Sequence, residues 1–197
     1  MTIDVNLLRF DEDFFENLDE IIEDTMIQIF ITHPKESDEI TKTKEIAAKY
    51  ESIFYSVPLS LHAQADANCV AFSVSSDEDL ALVPNLEKPI FIDESYLDES
   101  IISRLAGCRG VLLNATREYP QLSGFYLAMG VKNVGLFDSE TLGAMSMDQI
   151  VLQSCYPDYP FEEVTDAVKV ISDTMFRPDQ SIIARATKSS LELFGFR

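Results

Sequence analysis

The sequence predicts an α/β chain folded as a compact (β/α)8 barrel with shortened βα loops. Eight short β-branched or aromatic runs alternate with polar segments of helical period, the pattern of a parallel sheet with crossover helices. The 197 residues are 46% apolar, enough for a sizeable core. No linker, low-complexity tract or repeat beyond the βα alternation interrupts them, so residues 1–197 read as a single domain.

The strand runs are 3–6, 26–32, 53–57, 69–74, 89–93, 110–114, 125–129 and 150–154. Between them lie helix candidates at 13–24, 37–50, 77–83 and 99–105, and two clearer helices, 161–175 and 180–193, follow the last run. In the 37–50 segment Ile40, Ile46, Ala47 and Tyr50 recur at helical spacing, and Ser37 is placed to cap the first turn. On its polar faces Glu39 and Glu45 oppose Lys42, Lys44 and Lys49. Pro178 separates the final two helices, because it cannot donate a backbone hydrogen bond and disfavours helical geometry in Arg177. Eight βα units predict a closed TIM-like barrel, although 197 residues is at the bottom of the size range for that architecture. The intervals 58–68, 75–88 and 116–124 are the tightest. They follow strands, and the loops after strands build a barrel's catalytic face, so material is expected to be missing where a pocket would be walled.

Charge and composition narrow the function. The net charge is -19, and Asp11, Glu12, Asp13, Glu16, Asp19, Glu20, Glu23 and Asp24 crowd into or just before the first helix, where they read as a solvated acidic face. Nucleic-acid binding draws on Lys and Arg to displace phosphate counterions, so it is disfavoured, though a metal-bridged phosphate substrate remains compatible with the global sign. Cys69, Cys108 and Cys155 are an odd number, widely spaced within apolar segments, and are expected as buried, reduced thiols. The start MTIDVNLLRFDED has no basic segment followed by an apolar run, and no stretch approaches the ~20 apolar residues of a membrane span. A soluble, cytoplasmic protein without membrane association is expected. Only His33 and His62 are present, so a site built on several imidazoles is excluded by counting.

The segment Ile150-Val151-Leu152-Gln153-Ser154-Cys155-Tyr156-Pro157 is similar to the L-L-L-E-T-D-x-P motif of TatD-type metal-dependent hydrolases. The tail Ala186-Thr187-Lys188-Ser189-Ser190-Leu191-Glu192-Leu193-Phe194-Gly195 resembles that family's terminal T-x-N-x-x-x-L-F-G helix. Collinear correspondences precede them. Ile3-Asp4-Val5-Asn6-Leu7-Leu8 resembles I-D-x-H-x-H, Val70-Ala71-Phe72-Ser73-Val74 resembles V-A-I-G-E, Pro89-Ile90-Phe91-Ile92-Asp93 resembles P-V-x-I-H, and Gly124 to Gly130 resembles G-x-Y-I-S-F-S-G. The resemblance to the TatD deoxyribonuclease family implies an amidohydrolase-like barrel. It also implies one or two divalent metals, held by histidines and acids, for phosphodiester hydrolysis. Carried over position by position, that ligand set falls on Asn6, Leu8, Val74, Asp93, Leu113 or Asn114, and Cys155, none of which keeps the family residue. Leucine and valine offer no lone pair and an amide oxygen no full charge, so the set does not fit a pair of metals that would activate water.

Asp93 is the best remaining catalytic or metal-ligating candidate, since it closes a strand where catalytic groups sit. Asp4, Asn6 and Asn114 are the weaker partners that would complete an oxygen site for Mg, Ca or Mn, against the reading of a hydrogen-bonded polar plug. Cys155 and His62 are a weak nucleophile–base candidate on the same face, against a small apolar plug and a surface loop residue. Asp93, Asn114, Cys155 and Tyr156 form the expected binding rim. His33 reads as a loop residue, Arg104, Arg109 and Arg117 as locally paired, and Gly107, Gly110, Gly130, Gly135 and Gly143 as turns.

The expected role is a degenerate TatD-related barrel without a cofactor, acting as a non-catalytic pseudoenzyme that binds a protein or small molecule. The alternative is a divergent hydrolase, a phosphodiesterase or deoxyribonuclease with a single Mg or Mn on Asp93. A structural subunit forming a homo-oligomer is a third reading.

Overall fold

The eight apolar runs pair in chain order, and the sheet closes on itself. In this computed structural model, which describes residues 1–8, 10, 12–83 and 87–196, the strands are β1 (Thr2–Leu7), β2 (Ile27–Thr32), β3 (Ile53–Pro58), β4 (Cys69–Val74), β5 (Ile90–Asp93), β6 (Gly110–Leu113), β7 (Phe125–Met129) and β8 (Ile150–Leu152). All neighbours are parallel, and β1 meets β8 at Asp4 opposite Leu152. The pairing of β1 with β2 shifts register between Asp4 and Leu7, and Asn6 falls within that shift. Such irregularities re-aim side chains at barrel rims.

Two hydrophobic layers follow from the alternation of side chains along each strand. One packs outside the sheet against helices and includes Phe30, Tyr55, Ile92, Leu112 and Leu152. The other fills the barrel and includes Ile3, Val5, Ile31, Phe91, Val111, Ala128 and Val151. Gly110 opens β6 rather than lying in a turn, because a Cβ there would come within 2.2 Å of the Ile90 carbonyl oxygen.

The described helices are α1 (Glu12–Glu16), α2 (Leu18–Thr25), α3 (Ser37–Ala47), α4 (Asp77–Ala81), α5 (Glu99–Leu105), α6 (Val131–Val134), α7 (Ser139–Ala144), α8 (Glu163–Met175) and α9 (Asp179–Phe194). The expected first helix breaks at Asn17, which lets both Phe14 and Leu18 turn inward. Asp13, Glu16, Asp19, Glu20, Glu23 and Asp24 are exposed, whereas Asp11 and the side chain of Glu12 lie outside the described residues. The cap of α3 is not Ser37, whose hydroxyl accepts a bond from Gln64 at 2.6 Å. Instead the Glu39 carboxylate accepts from the Lys35 and Glu36 backbone N–H groups at 2.8 and 3.2 Å. The tight crossovers after β3 and β6 hold only single 3-10 segments, Leu59–Gln64 and Pro120–Leu122.

Pro178 precedes α9 as expected. The end of that helix seals the barrel from below: Leu193 is buried with the interior residues, Phe194 stacks on Phe91 at 5.5 Å, and Phe196 lies 4.6 Å from Phe54. No helix among the described residues is long and apolar enough to cross a membrane.

Candidate functional site

With the base sealed, the accessible end of the barrel is the mouth formed by the strands' C-terminal ends. The trimmed loops do not close it. A cavity of about 350 Å³ remains, lined by Asn6, His33, Val74, Phe91, Asp93 and Asn114, with Leu8, Lys35, Ser73, Ser75, Tyr96 and Leu113 completing the wall. That volume is at the small end of ligand pockets.

Asp93 ends β5 and caps the short turn that follows, accepting from the Ser95 N–H at 2.9 Å and the Ser95 hydroxyl at 2.6 Å. Its other oxygen accepts from Asn114 Nδ2 at 2.5 Å. Asn114 adopts a left-handed backbone (φ 55) at the end of β6, a conformation that asparagine tolerates better than most residues. Burial alone would raise the Asp93 carboxyl, but the donors from Ser95 and Asn114 outweigh it and hold the group below the ordinary carboxylate range. Asp93 is therefore a charged acceptor at the cavity wall.

From Asn114 a polar chain runs around the mouth. Cys155 Sγ lies 4.0 Å from Asn114 Oδ1 and accepts from Asn6 Nδ2 at 3.4 Å. Asn6 Nδ2 also donates to Gln153 Oε1 at 3.0 Å, and Gln153 Nε2 donates to Asn133 Oδ1 at 3.2 Å. Asn133 is anchored by main chain, since its Nδ2 donates to the Ala115 and Ala128 carbonyls at 2.8 and 2.9 Å while its Oδ1 accepts from the Gly130 N–H at 2.9 Å. Those two carbonyls accept only, so they fix the orientation of Asn133 and, through it, of Gln153 and Asn6. Gly130 must stay small here, because a Cβ would come within 2.4 Å of the Gln153 carbonyl.

Three expected site residues are placed elsewhere. Asp4 does not line the cavity. It is buried between β1 and β8, where it accepts from the Ser154 N–H (2.9 Å), the Ser154 hydroxyl (2.5 Å) and the Asn6 N–H (3.1 Å). Burial outweighs those donors and raises its carboxyl. Tyr156 turns away from the mouth and stacks on Phe161 at 4.4 Å. His62 is exposed on the turn after β3, where its Nδ1 donates to the Leu59 carbonyl at 3.0 Å, so it does not pair with Cys155. Cys155 is buried, with its thiol pushed up to about 12 by burial and then by Asp4. A thiol so poised is not a nucleophile near neutrality.

His33 lies in the β2–α3 connection as expected, but its ring is held in place rather than free. Its Nε2 donates to the Val5 carbonyl at 2.8 Å, so its Nδ1 accepts from the Ser56 hydroxyl at 2.8 Å. The ring sits edge-on to Phe91 at 4.4 Å. Burial, and then the neighbouring Lys35, depress its pKa to about 4 against the opposing pull of the Val5 carbonyl. It stands as a neutral imidazole bridging three strands. Sequence reasoning missed it, together with Gln153 and Asn133, because it looked for metal ligands rather than for amides and rings that satisfy one another. The position of His33, one residue beyond the end of β2, was the available signal.

Two smaller expectations are also corrected. Arg117 pairs locally as expected, donating to the Tyr119 hydroxyl at 3.2 Å, whereas Arg104 and Arg109 donate to the Leu80 and Glu192 carbonyls. Cys69 and Cys155 are buried free thiols, whereas Cys108 is only half-buried. Among the described residues no group of three His, Cys, Asp or Glu side chains is arranged to hold a metal ion.

No family model matches the sequence, and no curated protein matches it either. Solved structures do match. YjjV, a TatD homologue from Escherichia coli K12, superimposes with a TM-score of 0.74 at 12% identity, covering 100% of this chain and 98% of that one. A hydrolase TatD family protein from Entamoeba histolytica gives 0.64 at 11% identity over 98% and 97% of the two chains. An amidohydrolase II gives 0.62 at 9% identity over 99% and 100%. The chain thus has the TIM-barrel, amidohydrolase-like fold of the TatD homologues over its full length.

Proposed function

We propose that this chain is a TatD-fold barrel that binds a small molecule at its mouth and does not hydrolyse phosphodiesters. The observation that supports this reading is the chain of hydrogen bonds from Asn133 through Gln153 and Asn6 to Cys155, with the Asn114–Asp93 pair continuing it. Where the fold's metal-dependent members would set charged or imidazole ligands, these positions carry amides, a protonated thiol, Val74 and Leu8, with Asp93 the one charged group. Their donors are spent on one another. Amide oxygens and one carboxylate do not supply the charge that a divalent ion needs to lower the pKa of bound water, so no metal-assisted step is assigned.

The competing reading, a single-metal hydrolase, rests on Asp93 remaining ionised at a strand end. Incubation of the protein with Mn²⁺ and bis(p-nitrophenyl) phosphate separates the two. The binding reading expects no release of nitrophenol above the Mn²⁺ blank. Mn²⁺-dependent turnover that disappears in Asp93→Ala would establish the hydrolase instead.

A further inference from the structure

Resting on the reading of the mouth as a binding site, we propose that its ligand is a small free amino acid with an aliphatic side chain, its ammonium group inward and its carboxylate outward. Three features of the cavity carry this.

The first is an acceptor at the cavity wall that no protein donor meets. Main-chain carbonyls fix the orientation of Asn133, Gln153 and Asn6 in turn, so Asn6 spends both amide hydrogens on Gln153 Oε1 and Cys155 Sγ. Its Oδ1 accepts no bond among the described residues, although Asn6 is only 2% exposed and lines the cavity. That oxygen is open to the cavity and available to a donor on a bound molecule. The Asp93 carboxylate lines the same cavity and carries full charge, and each carboxylate oxygen has more than one acceptor site. An ammonium group, with three donors and a positive charge, satisfies both at once.

The second is the position of positive charge. Lys35 stands on the same wall and is exposed, toward the rim. Among the described residues the ion pairs are Arg185–Asp148 and Lys188–Glu192, so neither Lys35 nor Lys132, the lysine whose charge is felt at Asp93, forms a contact pair with that carboxylate. Lys35 therefore offers a partner to an anionic group at the outer end of a ligand whose inner end is cationic. The nearest imidazole, His33, is neutral and spends its N–H on the Val5 carbonyl, so it does not compete for the anion.

The third is the apolar wall made by Leu8, Val74, Phe91 and Leu113. It matches an aliphatic side chain better than a sugar or a nucleobase. A cavity of about 350 Å³ suits an amino acid and excludes a folded partner.

Calorimetric titration of chelator-treated protein with L-leucine, N-acetyl-L-leucine and isopentylamine tests the assignment, at concentrations up to about 10 mM so that a Kd near ~1 mM is still read. L-leucine is expected to bind, with affinity falling at least about tenfold on loss of either the ammonium (N-acetyl-L-leucine) or the carboxylate (isopentylamine). Asp93→Asn, which keeps the side chain's shape, should weaken L-leucine by a similar factor. Lys35→Gln, at the exposed rim and safe for folding, should weaken L-leucine while leaving isopentylamine unchanged. Absence of binding by L-leucine and the other aliphatic amino acids, or equal binding of leucine and its N-acetyl derivative, overturns the assignment. If L-leucine binds only after Mn²⁺ is restored, the ligand class survives and the metal-free reading of the site fails.

Discussion

Asn133 does more for the mouth than any charged residue. One side chain satisfies two carbonyls, of Ala115 and Ala128, and one amide, of Gly130, while presenting its oxygen to Gln153. Asn133→Ala leaves those buried main-chain groups without partners and should cost about 3 kcal/mol, read as a lowered urea midpoint at unchanged slope. His33 sets a pH dependence. Its folded pKa of about 4 lies below its ordinary 6.5, so the unfolded chain takes up the proton first as pH falls. Its contribution to stability is fully present above about pH 6.5 and is lost as pH falls toward about 4. In chemical denaturation across that window, His33→Gln should show a shallower decline than the parent. Parallel declines would mean that His33 is already charged in the folded state.

At the scale of elements, the terminal helix closes the base of the barrel. Leu193 is buried among interior residues, and Phe194 extends the stack that runs through Phe91 to His33. Leu193→Ala should cost about 3 kcal/mol, the middle of the range for a large-to-small change in a packed core, measurable by denaturant unfolding. A loss below about 0.5 kcal/mol would show that α9 is a peripheral cover. The strands were legible in the sequence because a parallel sheet buried on both faces leaves near-continuous apolar runs, as in Ile27 to Thr32 and Ile150 to Leu152. The short helices α6 and α7 carried no such signature, and the break at Asn17 lies in a segment of acids and apolar residues with no Gly or Pro to mark it. Element ends were legible where an apolar run stops abruptly, as at 69–74 and 125–129, and where a residue is geometrically committed, as at Pro178. The cap of α3 was misplaced by one residue because Ser37 is claimed by Gln64, a contact 27 positions away in sequence.

At the scale of the whole molecule, the open end of the barrel carries a neutral ring, a protonated thiol, mutually bonded amides and one charged carboxylate, Asp93. Asp93, Asn6 and Asn114 were legible as mouth residues because strand ends locate the mouth of any such barrel. Their partners were not, since Asn6 meets Gln153 across 147 positions and no local pattern encodes that contact. Tyr156 was expected at the rim, yet its ring stacks on Phe161, five residues on, in the layer outside the sheet. The loops were shortened as expected, yet enough wall remains from the strand ends themselves to leave a pocket. The mouth's amide donors are spent on one another and on Asp93, and its acceptors are proposed to hold no metal ion. A crystal of the protein soaked in Mn²⁺ and measured for anomalous scattering tests it most directly. No anomalous peak is expected within bonding distance of Asp93, Asn6 or Asn114, with the Asn6–Gln153 and Asn114–Asp93 contacts intact. A well-occupied ion coordinated by Asp93, with Asn114 turned aside to make room, would contradict it.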